Sequence, residues 1–469
     1  MNVLVLFKRD LGLAGHAPLQ HAIAQGGCVL PLHVIDPRDW GPGRGAARQW
    51  AFVAEQLEDL RERMARLGAP LVVRQGETEA VLTRLCRMFD IGMVVTHSTP
   101  WDPAHERRLK AWADGAGIAL VSLAPLGADH ADAFRMPAGM RAVSGVEPGL
   151  IPQSKGLGLG LDDAPNRQRV GRAAAEAMLD SFRAGRGARH PCASLSPLAG
   201  ERAGLRLSPW LSWGTLSLAE VRLACSGAEA TLGQPVLRHL RARLDQHARR
   251  LRADLPDLAG CHAPSGPRPR DLCGAAPAMS PDQAISALRH GRTGLPFIDA
   301  LLRSAGASGW LNMPARRLVA SVGMHRLGLD AGVMDRVMAD LMIDHHPAIC
   351  PVLLQPLAEA APLDPLRPGE EHDPEGLFIR RWLPELAQVP TACLHRPWRW
   401  SGAGRVLGRR YPEPPPEPLR PARKRRRSAV MAQPLSPLDR RMRLARDGAV
   451  VAGAGQLALD LPPAPSACG

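Results

Sequence analysis

The chain has 469 residues, 45% of them hydrophobic, which is enough for two or three domains and a sizeable core. Its net charge of +14 at pH 7 and sequence pI of about 10.3 make a polyanion the natural partner, nucleic acid first, the alternative being an excess that sits in the tail, where part of it does. Nine cysteines without a CxxC pair argue against a disulfide scaffold and against the common zinc and iron–sulfur spacings; they read as free thiols in a reducing compartment.

The N-terminus, MNVLVLFKRD, has too short an apolar run for a signal peptide, and no stretch of about 18 apolar residues follows. A cytoplasmic protein is expected. Short apolar runs at Val3–Phe7, Cys28–Ile35, Leu71–Val73, Met93–Thr96 and Ile118–Leu123 suit parallel strands buried on both faces. Between them, Trp50, Val53, Leu57, Leu60, Met64 and Leu67 recur by threes and fours, the stripe of an amphipathic helix. Strand alternating with helix over residues 1–125 predicts an α/β domain with a parallel, doubly wound sheet. No GxGxxG follows the first strand, so the common dinucleotide fingerprint is absent. Lys8, Arg9 and Asp10, where that strand ends, read as a structural ion pair or a ligand contact.

Residues 126–170 are rich in Gly and Pro without a lasting period and read as a linker. From 171 to 410 the apolar residues recur at helical spacing, which predicts a large all-α domain. Within it, GRTGLPFIDALLRSAGASGW (Gly291–Trp310) predicts a helix with Pro296 in its first turn, Phe297, Ile298, Leu301 and Leu302 on one face, and Gly306 and Gly309 ending it. Residues 411–469 are rich in Pro and Arg, include the run Arg423–Arg427, and are expected to be disordered.

Three strings of the helical region occur in a telling order: RLSPWLSWGTLSLAEV (Arg206–Val221), the GRTGLPFIDA helix, and HDPEGLFIRRWLPEL (His372–Leu386). With FKRDLGLAGHAPLQHA near the N-terminus and HRPW (His395–Trp398), they resemble the photolyase and cryptochrome family of flavoproteins over about residues 1 to 400. The LSPxLxWGTLS form is similar to that of a bacterial photolyase-like subgroup. The resemblance implies an α/β antenna-type domain followed by a helical FAD-binding domain, and leaves open whether a second antenna chromophore binds the first.

The resemblance also implies site residues. Arg206, Leu207 and Ser208 match the segment that meets the FAD pyrophosphate, where a helix start offers backbone N–H groups. Ser208 before Pro209 also reads as a plain helix cap. Gly204 and Leu205 stand where the family has hydroxyl residues. Arg316 matches an arginine over the flavin, with a surface arginine as the other reading. Asp344 matches the first of two acids around the ring, His346 replaces the second, and Cys350 replaces an asparagine near the reactive nitrogen. The adjacent His345 and His346 point apart in an extended chain, so Asp344-His345-His346 is not read as a metal site. Leu354, Ala331 and Leu288 replace family tryptophans, the first two in the photoreduction relay. Pro314 replaces an arginine and would cost about 3 kcal/mol inside a helix.

Arg243 and His247 fall where the family lines its substrate cavity, and equally read as a solvated basic face. The implied activity is light-dependent repair of pyrimidine dimers in DNA by electron transfer from reduced FAD, a deoxyribodipyrimidine photo-lyase. The alternative is a non-repairing FAD-binding light sensor or a degenerate DNA- or protein-binding scaffold. A monomer without membrane contact is expected. In the tail, Gln456–Leu461 resembles the short peptides that dock on the bacterial sliding clamp.

Overall fold

The computed structural model describes residues 1–40, 46–124, 136–137, 139–161, 164–189, 196–234, 236–238, 240–241, 244–246 and 279–412. Five strands come first: β1 (Asn2–Phe7), β2 (Cys28–Ile35), β3 (Val72–Gln75), β4 (Ile91–His97) and β5 (Ala119–Leu123). All pair in parallel, in the order β3-β2-β1-β4-β5. A parallel neighbour is reached only by a crossover. The crossovers carry α1 (Ala17–Ala24), α2 (Ala47–Arg66), α3 (Thr78–Met88) and α4 (Pro103–Ala116).

Alternation along β1 divides the core. Val3, Val5 and Phe7 pack with Leu19 of α1 and with Trp50, Val53, Leu57 and Leu60 of α2. Leu4 and Leu6 face the other way, onto Val81, Leu82 and Leu85 of α3 and Leu109 of α4. Helices therefore cover both faces, and the sheet is doubly wound as the sequence predicts. Burial on both faces fails at β5, an edge strand whose residues are exposed or half-buried.

Strand order reverses between β1 and β4, so the loop after β1 lies at the switch point where α/β sheets take ligands. Hydrogen bonds close that loop. Lys8 Nζ lies 3.3 Å from Glu106, not from its neighbour Asp10, whose carboxylate instead meets the Lys8 backbone N–H, His16 and His97. Within the segment read as a linker, β6 (Arg141–Ala142) pairs with β2, and the Pro148 carbonyl accepts from Val73 N at 2.8 Å.

From Arg172 on, the named elements are helices and short 3-10 turns: α5 (Arg172–Arg183), α6 (Pro197–Ala203), α7 (Ser208–Ser212), α8 (Leu218–Ser226), α9 (Glu229–Leu232), α10 (Pro281–His290), α11 (Pro296–Ser308), α12 (Met313–His325), α13 (Ala331–Leu341), α14 (Cys350–Glu359), α15 (Arg367–His372) and α16 (Leu377–Trp382). Phe297, Ile298, Leu301 and Leu302 of α11 form the middle of a second core with Val319, Met334, Val337, Leu354 and Phe378. Gly309 alone ends α11, at φ +66°; Gly306 lies inside the helix. Among the described residues, no helix is long and apolar enough to cross a membrane.

Candidate functional site

Three segments converge on one buried ion pair. Arg316 of α12 donates twice from Nη2 to the Asp344 carboxylate, at 2.6 and 2.9 Å, and its Nε donates to the Leu311 carbonyl at 2.8 Å. Both side chains are buried, 8% and 1% exposed. Arg316 is therefore not the surface arginine that the helix pattern also allowed. An ion pair this deep needs every remaining polar atom placed, because desolvation offsets most of the Coulomb attraction.

The loop carrying Asp344 is fixed by its backbone. Ile343 N donates to Gly309 O at 2.9 Å, Trp213 Nε1 to Ile343 O at 3.3 Å, and Ser212 Oγ to Asp344 O at 3.0 Å. Gly309 is required twice: φ is left-handed, and a Cβ there would sit 2.5 Å from the Ile343 side chain. The Gly-Trp exit of α11 thus exists to bring the Asp344 loop in close.

Trp310, next in sequence, donates from its indole Nε1 to Ser208 Oγ at 3.1 Å and lies under the Arg206 guanidinium, 4.9 Å away. Ser208 is the first residue of α7, and Leu207 is its cap position, so the plain-cap reading of Ser208 is corrected. Leu207 itself is buried in the first core. Arg206 takes a left-handed φ of +53° and gives its carbonyl to Gln168 Nε2 at 2.8 Å. Its Nε is buried without a partner among the described residues. Burial holds the Arg206 guanidinium below its usual range, and burial together with Arg206 does the same to the neighbouring Arg186. Two crowded cations with an orphan donor suit an anion such as a pyrophosphate.

His345 and His346 do point apart. His346 accepts from Ala348 N through Nδ1 at 3.1 Å, and its ring meets Trp101 edge-on at 5.0 Å. His345 reaches Asp335 at 2.9 Å. Burial alone would lower the His345 pKa, but the charge of Cys350 and the hydrogen bonds of Asp335 and Cys350 push it up to about 10. Arg9 ties the other domain to this loop, donating to His345 O at 3.2 Å and stacking 4.0 Å over Trp213.

Pro314 costs nothing here. α12 begins at Met313, and Asn312 caps it by accepting from Ala315 N at 3.0 Å, so the proline sits in a first turn. Leu354 is buried in the second core and Ala331 opens α13. Arg243, His247 and Gln456–Leu461 lie outside the described residues. Sequence reasoning missed Trp310 as the partner of Ser208 and Arg206, and missed Trp101 and Asp335 altogether; no spacing pattern links those last two to the loop. Two clefts of about 350 and 340 Å³ lie elsewhere, along Arg172 and Glu176.

Residues 255–431 match the family model for the FAD binding domain of DNA photolyase, and residues 3–124 the model for DNA photolyase. The chain is 28% identical over 455 residues to a deoxyribodipyrimidine photo-lyase of Streptomyces griseus, covering 88% of this chain and 95% of the relative. It is 24% identical to cryptochrome DASH of Gloeobacter violaceus, covering 88% and 92%. Its fold is similar to the crystal structure of a class III photolyase from Agrobacterium tumefaciens, at 22% identity and a TM-score of 0.74 over 88% of this chain and 94% of that one.

Proposed function

The chain belongs to the photolyase and cryptochrome family as a divergent member, and we propose that it is an FAD-dependent enzyme that repairs pyrimidine dimers in DNA under light. The buried Arg316–Asp344 pair, set among the family-matching segments, carries this reading. Bound FAD would supply the one-electron transfer to the dimer. The chain's own residues would hold it: Arg206 with Arg186 and the Ser208 amide that opens α7 at the pyrophosphate, and Arg316 with Asp344 as a fixed cation and acceptor at the ring. His346 and Cys350 would line the same ring, and Arg243 and His247 would meet the DNA.

The protein as purified is expected to release one FAD on acid or heat treatment. Apoprotein that takes up no FAD would remove the proposal. Because Leu354 and Ala331 are aliphatic, illumination of the oxidised protein with an external reductant is expected to bleach the flavin band slowly. Dimer-bearing DNA is expected to be repaired in light once the protein is reduced with dithionite. Flavin retained and reduced, yet no dimers lost, would transfer the assignment to a non-repairing light sensor or scaffold, which the missing tryptophans at Leu354 and Ala331 favour.

DNA binding is proposed to be shared between the helical domain and the basic tail. Each neutralised phosphate adds about 0.9 to the slope of log K against log salt. Deleting residues 412–469 is expected to lower that slope while leaving measurable binding; complete loss would assign binding to the tail. We further propose a cytoplasmic monomer whose Gln456–Leu461 peptide docks on the sliding clamp. Pulldown with purified clamp should then weaken with Gln456→Ala or Leu459→Ala, and equal retention would remove the idea.

A further inference from the structure

Behind the Asp344 loop, three side chains from three elements meet. Asp335 comes from α13, His345 from the loop, and Cys350 is the first residue of α14. One donor atom of each lies within 4.8 Å of the other two, and His345 Nε2 is 2.9 Å from Asp335 Oδ1. Cys350 and His345 are buried, while the Asp335 side chain, 18% exposed, forms the rim.

A sulfur, an imidazole nitrogen and a carboxylate oxygen are the donors that a borderline divalent cation takes in sites with three protein ligands and one open position. A thiolate and a carboxylate bring two negative charges, which such a cation neutralises when it displaces the proton that the His345–Cys350 pair holds. Two features support the geometry. The Arg9 hydrogen bond to His345 O fixes the backbone that aims the ring. No backbone amide among the described residues commits either His345 nitrogen.

A second cluster shows by contrast what closes such a site. Asp10, His16 and His97 offer similar donors within the same distance. There, His16 Nδ1 accepts the Leu19 N–H at 3.1 Å, which leaves the ring proton on Nε2, facing Asp10. The second Asp10 oxygen accepts the Lys8 N–H. That cluster is complete as a hydrogen-bond network.

We propose that Asp335, His345 and Cys350 form a three-ligand site for a borderline divalent transition cation, zinc first, whose fourth position opens to solvent past Asp335. The cation would join α13 to α14 across the base of the Asp344 loop. Cys350 is also the residue proposed to face the flavin ring, so zinc binding is read on the chain with and without FAD; the three ligation contacts themselves are among the chain's own side chains.

The test uses the full chain, stripped with a chelator and titrated with zinc alone by calorimetry. One equivalent should bind with proton release, since the thiol–imidazole pair must give up its proton to the cation. Cobalt in its place should give the visible d–d bands of a four-coordinate, thiolate-bound ion, read to the red of any flavin absorption. Cys350→Ser, His345→Gln or Asp335→Asn should each weaken binding at least ~10-fold, the scale seen even for outer-shell changes. Cys393→Ser and Asp10→Asn should leave it unchanged. On the wild-type chain, zinc should also protect Cys350 from iodoacetamide, read by peptide mass spectrometry, which needs no variant to fold. Absence of stoichiometric binding, binding indifferent to the three substitutions, or alkylation of Cys350 at the same rate with and without zinc would overturn the site. The last result would mark a plain thiol–imidazole pair.

Discussion

Replacing Asp344 with alanine should destabilise the helical domain by about 3–5 kcal/mol, the cost of stranding one member of a buried pair. Arg316 would keep its Nε bond to Leu311 O, but its Nη2 would face a cavity in the core. The measurement is the urea midpoint of the far-ultraviolet helical signal, with FAD content determined in parallel. Asp344→Asn should cost less, because the amide oxygen still accepts one hydrogen bond. The double variant Arg316→Met with Asp344→Leu separates stability from function. Apolar side chains of similar volume can replace a buried pair at little cost, so much of the stability should return. FAD retention should not return, because the fixed cation and its acceptor are gone. A double variant that binds FAD as well as the wild type would show that the pair serves packing alone.

The legible part of this molecule was whatever local periodicity or helix grammar encodes. Strand–helix alternation placed β1 to β5, and the α2 stripe from Trp50 to Met64 is the observed buried face. Pro296 and Gly309 bracket α11 as their backbone preferences require. Gly306 misled because a glycine in a helix interior carries only a modest cost, so packing around Ala305 and Leu302 carried the helix past it.

What stayed hidden was long-range. Ser208 looked like a cap because Ser-Pro is a helix-start pair, yet its hydroxyl serves an indole 102 residues away. Pro314 looked costly only while Asn312 was not known to cap the helix. Lys8 and Asp10 looked like a pair because they are close in sequence, but the Asp10 carboxylate takes the Lys8 backbone N–H, and the two side chains find partners at Glu106 and His97, on or after β4. Asp335 and Trp101 belong to no motif. Only the fold brings them to the loop after Ile343.

The Gly-Arg-Thr-Gly entry to α11 has its own large expected effect. Asp299 is fully buried, and its carboxylate accepts from Thr293 N and Oγ1, both at 2.7 Å, from Gly294 N at 3.0 Å, and from the Tyr411 hydroxyl. Gly291 and Gly294, at φ +58° and +80°, let the chain wrap that carboxylate tightly. Burial nonetheless outweighs the donors and pushes Asp299 up to about 6. A folded pKa above the unfolded value of 3.8 contributes stability that is fully present below pH 3.8 and is lost as pH rises through about 6.

Asp299→Asn removes that titration. The stability of the wild type relative to this variant should therefore fall by about 1.4 kcal/mol between pH 5 and pH 8, taking 1.36 kcal/mol per pKa unit. Asp299→Ala should be far worse at every pH, at roughly 3 kcal/mol or more, because two amides and two hydroxyls lose their acceptor in a dry site. Tyr411 is the chain's one tyrosine, so its ultraviolet absorbance reports on this site alone. Burial and the Asp299 charge hold its hydroxyl well above the usual range, so alkaline titration should show no phenolate until the fold opens. A Tyr411 that ionises freely in the folded protein, or a wild-type and Asp299→Asn pair that run parallel from pH 5 to 8, would mean that the carboxylate is not sealed in the core and that the Thr-Gly turn is held by something other than its charge.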